Sequence, residues 1–171
     1  MSVESSSGAG PEPSARTVST AALDDVDRAI LRELERDGRQ SNKDLASRVG
    51  IAPSTCHARV RALRESGVLR GFTAQVDPQA LGRGLQAIIA VRLQAAARAR
   101  LGRFARALAE RPEVQDVYLL GGSDDVLVHV AVTDSQALRS FVVEHLSTRQ
   151  EVAHTQTSLV FEHLHVPTGP R

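Results

Sequence analysis

The stretch SNKDLASRVGIAPSTCHARVRALRESG, residues 41–67, carries two helix signals separated by one tight turn. Ser41-Asn42-Lys43-Asp44 has capping-box spacing, in which a hydroxyl and an acid three residues on satisfy the first free amides of a helix. Behind it Leu45, Ala46 and Val49 recur at helical intervals, and Gly50 supplies a stop. Ile51-Ala52 makes the turn. Pro53, whose ring presets φ, opens a further helix to about Glu65, with Gly67 beyond its end. Upstream, Leu23, Val26, Ile30, Leu31 and Leu34 form an apolar stripe opposite Arg28, Arg32, Glu33, Glu35 and Arg36, with Asp24 or Asp25 as cap and Gly38 as terminator. Three short helices joined this closely spell a helix-turn-helix.

At roughly 100° per residue, Cys56, Val60 and Leu63 fall on one side of the third helix, while Ser54, His57, Ala58 and Arg61 cluster on the other. The first set packs. The second consists of types that read base edges: a guanidinium able to grip guanine twice, an imidazole, a hydroxyl, and a methyl small enough to admit the helix to a groove. Residues 39–71 hold seven bases against two acids, whereas residues 24–37 hold six acids against three bases, so positive charge gathers beside the proposed reading helix. Arg39, Lys43, Arg59 and Arg70, with the hydroxyls of Ser41 and Thr55, suit phosphates, which position a protein without specifying sequence. No aromatic residue lies within 24–71 for a base to stack on, which favours double-stranded over single-stranded DNA.

The whole chain has 171 residues, 42% apolar, 24% charged and 3% aromatic, which fits one medium domain or two small ones and excludes collagen-like, membrane-spanning and wholly disordered proteins. A formal net charge of +1 gives no global attraction for nucleic acid, so any such partner must be met by a local patch. The single cysteine, Cys56, excludes an intramolecular disulfide and fits a reducing cytoplasm. Residues 1–22, rich in Ser, Ala, Gly and Pro, read as a disordered tail with no signal-peptide core, and 167–171 as a second tail. Every apolar run is broken well short of a membrane span, so a soluble protein is expected.

After the helix-turn-helix of 23–71, residues 68–76 are expected to form an extended wing or hinge strand, broken by Asp77-Pro78, within a wing and hinge linker over 72–84. The second half, 85–166, predicts a strand at 86–93, a helix at 98–111, strands at 114–120 and 126–132, a helix at 135–147 and a last strand within 152–166. This order, β-α-β-β-α-β, with helices that each carry one apolar stripe, predicts a ferredoxin-like domain. The overall class is therefore α+β. Ile88, Ala90, Val126, Val128, Val130 and their neighbours suggest strands apolar on both faces, for which dimerisation through the sheet is the simple answer.

Leu23-Asp24-x-x-Asp27-x-x-Ile30-Leu31, Gly38-Arg39-x-Ser41-x-x-x-Leu45-Ala46, Ser54-Thr55-x-x-x-Arg59-Val60-x-x-Leu63 and Gly67-Val68-Leu69-x-Gly71 together resemble the Lrp/AsnC family of feast/famine transcription regulators. Asp77-x-x-x-Leu81-Gly82, Pro112-Glu113-Val114, Gly122-x-x-Asp125 and Thr157 extend the resemblance over about residues 23–165. It implies a winged helix-turn-helix joined to a ligand-sensing domain whose sheets pair into dimers, often assembled into octamers. It also implies an amino acid or related small-molecule effector bound between ferredoxin-like domains, near Gly121, Gly122, Ser123, Asp124 and Asp125, with Thr157. A turn offering backbone N–H groups suits a carboxylate, and Asp125 is the candidate for the ammonium. The family commonly has threonine where this chain has Gly121, an aromatic where it has Val126, and often a cap serine where it has Ala52.

Other chemistry is weaker. Cys56 and His57 are adjacent on a helix and point about 100° apart, so they make no nucleophile and base. His163 and His165 share one side of a strand, with His154 nearby, but no third ligand stands at a firm spacing, so no metal is assigned. The Gly-Gly-Ser-Asp-Asp loop also reads as a hairpin turn needing positive φ. Gly82-Arg83-Gly84 is a flexible connector. The alternative function, a small ferredoxin-like oxygenase or isomerase with an appended domain, lacks any Ser-His-Asp or Cys-His pair or cofactor motif in 84–166. No enzyme and no cofactor is expected.

Overall fold

Asp24 opens the first helix as the sequence requires: its carboxylate accepts the Asp27 amide at 2.8 Å and the Asp27 side chain returns to the Asp24 amide, closing a capping box. The computed structural model describes residues 23–164, and both expected tails and the last positions of the expected final strand lie outside them. Its contacts divide the chain between Thr73 and Ala74 into two units.

In the first unit, α1 (Asp25–Arg36), α2 (Asn42–Val49) and α3 (Pro53–Glu65) surround a core of Ile30, Leu34, Leu45, Ala46, Cys56 and Leu63. Ser41 caps α2, and Gly50 ends it at φ 75°, a left-handed conformation that costs any L side chain strain. Gly38 has a different role from the expected terminator, because it lacks a positive φ and Asp37 is the cap. A Cβ at Gly38 would lie 2.9 Å from the half-exposed Phe72 ring, so a larger residue there would have to displace that ring. The expected strand at 68–76 joins no ladder among the described residues. An extended segment needs a partner edge, and the described residues of the first unit include no other strand to offer one.

In the second unit, β1 (Leu85–Leu93), β2 (Val114–Leu119), β3 (Val126–Val132) and β4 (Val152–Val160) form an antiparallel sheet in the order β2-β3-β1-β4. With α4 (Leu101–Ala109) and α5 (Ser135–Val142) as the crossovers, this is the ferredoxin-like arrangement. The helix expected at 98–111 is preceded by a 3₁₀ segment, Ala95–Arg100, and the one expected at 135–147 continues past α5 as a π turn, Val143–Ser147. Ala87, Ile89, Val91 and Leu93 alternate onto one face with Val126, Val128, Val130 and Val132, where they pack with Phe104, Leu108, Leu138, Phe141 and Leu146. Each large side chain buried there contributes about 1.5–3 kcal/mol.

That alternation corrects the expectation of two apolar faces. The four valines of β3 all turn toward the helices, and the opposite face mixes Ile88, Ala90, Leu127 and Tyr118 with Gln86, Arg92, Asp116 and His129. His129 lies 3.4 Å from Asp116 and 3.0 Å from Gln86.

Candidate nucleic-acid interface and effector loop

Packing decides which side of α3 meets solvent. Cys56 is 0% and Leu63 4% exposed, with Val60 half-buried beside them, so that stripe is committed to the core. Ser54, His57, Ala58 and Arg61 are all exposed on the other side, together as one surface. Burial also pushes the Cys56 thiol up, which keeps it protonated and inert. Ala52 gives α3 no side-chain cap, but the Asn42 amide donates to the Pro53 carbonyl at 2.8 Å and ties its first turn to α2.

The six residues expected at phosphates divide. Arg39, Lys43, Thr55 and Arg70 are exposed. Ser41 is exposed too, yet its hydroxyl accepts the Asp44 amide at 3.1 Å and donates to the Asp44 carboxylate at 2.7 Å, so it already serves α2. Arg59 differs most: half-buried, its Nη1 donates to Asp24 Oδ2 and, at 3.0 Å, to Asp27 Oδ1. Arg61 is paired as well, with Nε donating to Glu65 Oε1 at 2.7 Å. The Arg61-x-x-x-Glu65 spacing, one helical turn, was visible in the sequence as a pairing signal.

In the second unit, residues 121–125 join β2 to β3. Asp125 is 8% exposed and its carboxylate is occupied within the chain: Oδ2 accepts the Leu93 amide at 2.8 Å and Oδ1 lies 3.1 Å from Arg98 Nε. Its expected use, holding an ammonium, therefore competes with a role in fixing the loop. Arg92 donates to the Ser123 carbonyl at 2.8 Å and sits 3.7 Å from Asp124. Arg92 and Arg98 were not singled out in the sequence, because nothing local links them to a loop so far along the chain.

Gly121 and Gly122 are exposed, neither has a positive φ, and a Cβ at either would meet nothing within 4 Å. The loop does close the antiparallel hairpin of β2 and β3, but without the positive φ expected of its glycines. Thr157 pairs with Ile89 on β4, whereas the loop enters β3 beside Val91, so roughly 10 Å across strands and 7 Å along them separates the two within one chain. His163 meets the His129 ring edge-on at 6.0 Å between centroids, while His154 lies opposite Arg92. His165 falls outside the described residues. No group of three potential metal ligands occurs among the described residues.

A model of the Lrp/AsnC ligand binding domain matches residues 86–168, and one of the winged helix-turn-helix DNA-binding domain matches residues 23–70. The chain belongs to the Lrp/AsnC family. This Lrp/AsnC protein is 54% identical over 151 residues to the HTH-type transcriptional regulator AldR of Mycolicibacterium smegmatis, a match covering 88% of each chain. It is 36% identical over 140 residues to the leucine-responsive regulatory protein of Escherichia coli, covering 82% of this chain and 85% of that one. Among solved structures it is similar to a transcriptional regulator of Neisseria meningitidis in complex with L-Met, with a TM-score of 0.79 and 34% identity over 87% of this chain and 96% of that one. The protein is a DNA-binding transcriptional regulator, not an enzyme.

Proposed function

We propose that this regulator reads duplex DNA sequence-specifically through Ser54, His57, Ala58 and Arg61, with Arg39, Ser41, Lys43, Thr55 and Arg70 positioned for phosphates. The observation that carries the reading is the exposure of those four side chains on one side of α3 while Cys56 and Leu63 lock the other side into the core. Two copies related by two-fold symmetry would present their α3 helices to successive major grooves about one turn apart. The open sheet face, with Ile88 40% and Tyr118 54% exposed, supports pairing of the second units into a homodimer, and the family resemblance extends this to an octamer. The effector is an amino acid or related small molecule held between second units at residues 121–125 with Thr157. Glycines at 121 and 122 that no intrachain packing requires support close approach of a ligand to backbone N–H groups, and a similar protein carries L-Met in its structure. The single cysteine supports a reducing, cytoplasmic location, and among the described residues no helix is long and apolar enough to cross a membrane.

The test is a titration of full-length protein on a duplex selected by it from a random-sequence pool, and on a scrambled duplex, at several salt concentrations. Arg61→Ala costs ~1–3 kcal/mol on the selected duplex and relaxes preference at one base, while Arg39→Ala weakens both duplexes alike and flattens the salt slope. Equal loss on both duplexes for Arg61→Ala removes it from base reading.

A further inference from the structure

We propose that Arg59 is a positioning residue for α3, a strut that fixes the roll of the helix against α1 by bridging Asp24 and Asp27, and not a phosphate contact. The inference rests on the reading that α3 enters the groove. Three observations carry it. By helical geometry Arg59 lies about 150° around α3 from the centre of the exposed Ser54, His57, Ala58 and Arg61 surface, but only about 70° from the buried stripe. Of the ten residues expected to meet DNA it alone is half-buried rather than exposed. Its guanidinium is also already held by two carboxylates, which leaves the cluster of Arg59, Asp24 and Asp27 with a net charge of −1, a surface that repels phosphate.

The need for a strut follows from how α3 is seated. Its fully buried contacts are Cys56 and Leu63, a narrow stripe with a small residue at one end, and its N-terminus has no side-chain cap. A helix resting on so narrow a line resists translation better than rotation about its own axis, and rotation is what would swing Arg61 away from a base edge. Arg59 reaches sideways to the rigid first turn of α1, where Asp24 and Asp27 are already fixed to each other's backbone amides. The strut therefore ends on atoms that cannot easily follow it.

The experiment compares Arg59→Ala with the pair Asp24→Asn and Asp27→Asn in the full-length protein, on the selected and scrambled duplexes across salt. Asparagine keeps the capping hydrogen bonds and removes the charge. A strut predicts that both variants loosen the selected duplex, by about fivefold each, that combining them costs less than the product, and that the salt slope is unchanged. A phosphate contact predicts the reverse pattern: Arg59→Ala lowers both duplexes with the slope falling by about 0.9, and the asparagine pair tightens binding by removing repulsion. That outcome overturns the proposal.

Should Arg59→Ala melt the domain, Arg59→Asp combined with Asp27→Arg restores the bridge and recovers binding, whereas a phosphate contact is lost further. Hydrogen exchange of the free protein separates this proposal from the reading it rests on. Faster exchange of α3 amides in both variants supports the strut even if Arg61→Ala proves α3 is not the reading helix, and unchanged protection overturns the strut even if α3 is.

Discussion

Arg61 Nε donates to Glu65 Oε1 across 2.7 Å on the exposed side of α3, so the cation proposed to read a base is held in the free protein by an acid one helical turn away. Both side chains are largely exposed, at 72% and 63%, so the pair is screened and easily broken. Any DNA contact of Arg61 has only to displace this weak, exposed partner.

Replacing that acid tests the competition. Glu65→Gln exchanges the rival carboxylate for a neutral, weaker acceptor and removes the negative charge beside Arg61. Binding to the selected and scrambled duplexes tightens about two- to fivefold at low salt and less at high salt. A loss confined to the selected duplex would instead assign Glu65 to a base.

The pH dependence of the first unit follows from Asp24. The Asp27 amide, and after it the Arg59 guanidinium, hold its carboxyl below the usual carboxylate range. A group depressed in the folded state contributes stability above its unfolded pKa, and that contribution is lost as pH falls through the folded value. Thermal melts from pH 6 downward should therefore lose Tm in the acid range, and Asp24→Asn should flatten that part of the curve. An unaltered acid limb in the variant would exclude Asp24 as its source.

Asp125 separates stability from response. Asp125→Ala leaves the Leu93 amide without its acceptor in a buried site, at a cost of about 1–3 kcal/mol to the second unit, and loosens the loop proposed to bind effector. Asp124→Ala, which loses only long contacts to Arg92 at 3.7 Å and to the neighbouring Ser123 hydroxyl at 3.4 Å, leaves the melting point nearly unchanged. Chemical denaturation of both variants, paired with amino-acid titrations of DNA binding, distinguishes a loop anchor from an effector ligand. A stable Asp125→Ala protein that loses its response would make Asp125 a direct contact.

The glycines give the complementary case. Since no φ or neighbouring atom demands glycine at 121 or 122, Gly121→Ala and Gly122→Ala should fold with unchanged stability. If the loop receives an effector against its backbone, a thermal-shift screen of the common amino acids that detects binding to the parent protein will detect weaker or no binding to these variants. Undiminished shifts would move the effector elsewhere.

Much of this was written locally. The caps at Asp24 and Ser41, the glycine stop at Gly50 and the proline start at Pro53 each act within a few residues, so helix boundaries in the first unit were legible from the chain. The strict alternation of β3 was equally plain as a strand, but which valines faced the helices required the register with β1. The 68–76 segment has the composition of a strand, and composition alone cannot supply the partner edge that a ladder needs.

The site divides the same way. Helical periodicity is a property of one segment, and it sufficed to set Ser54, His57, Ala58 and Arg61 on the side of α3 opposite Cys56 and Leu63. Residue type alone grouped Arg59 with the phosphate candidates, because a guanidinium looks the same whether it meets a phosphate or a carboxylate. Only the packing of α1 against α3 brought Asp24 and Asp27 across 35 and 32 residues to claim it, and only the sheet brought Leu93 to Asp125 across 32. Short-range backbone chemistry determined the elements and their faces; the partners of the charged groups were decided by distances that close only when the chain has folded.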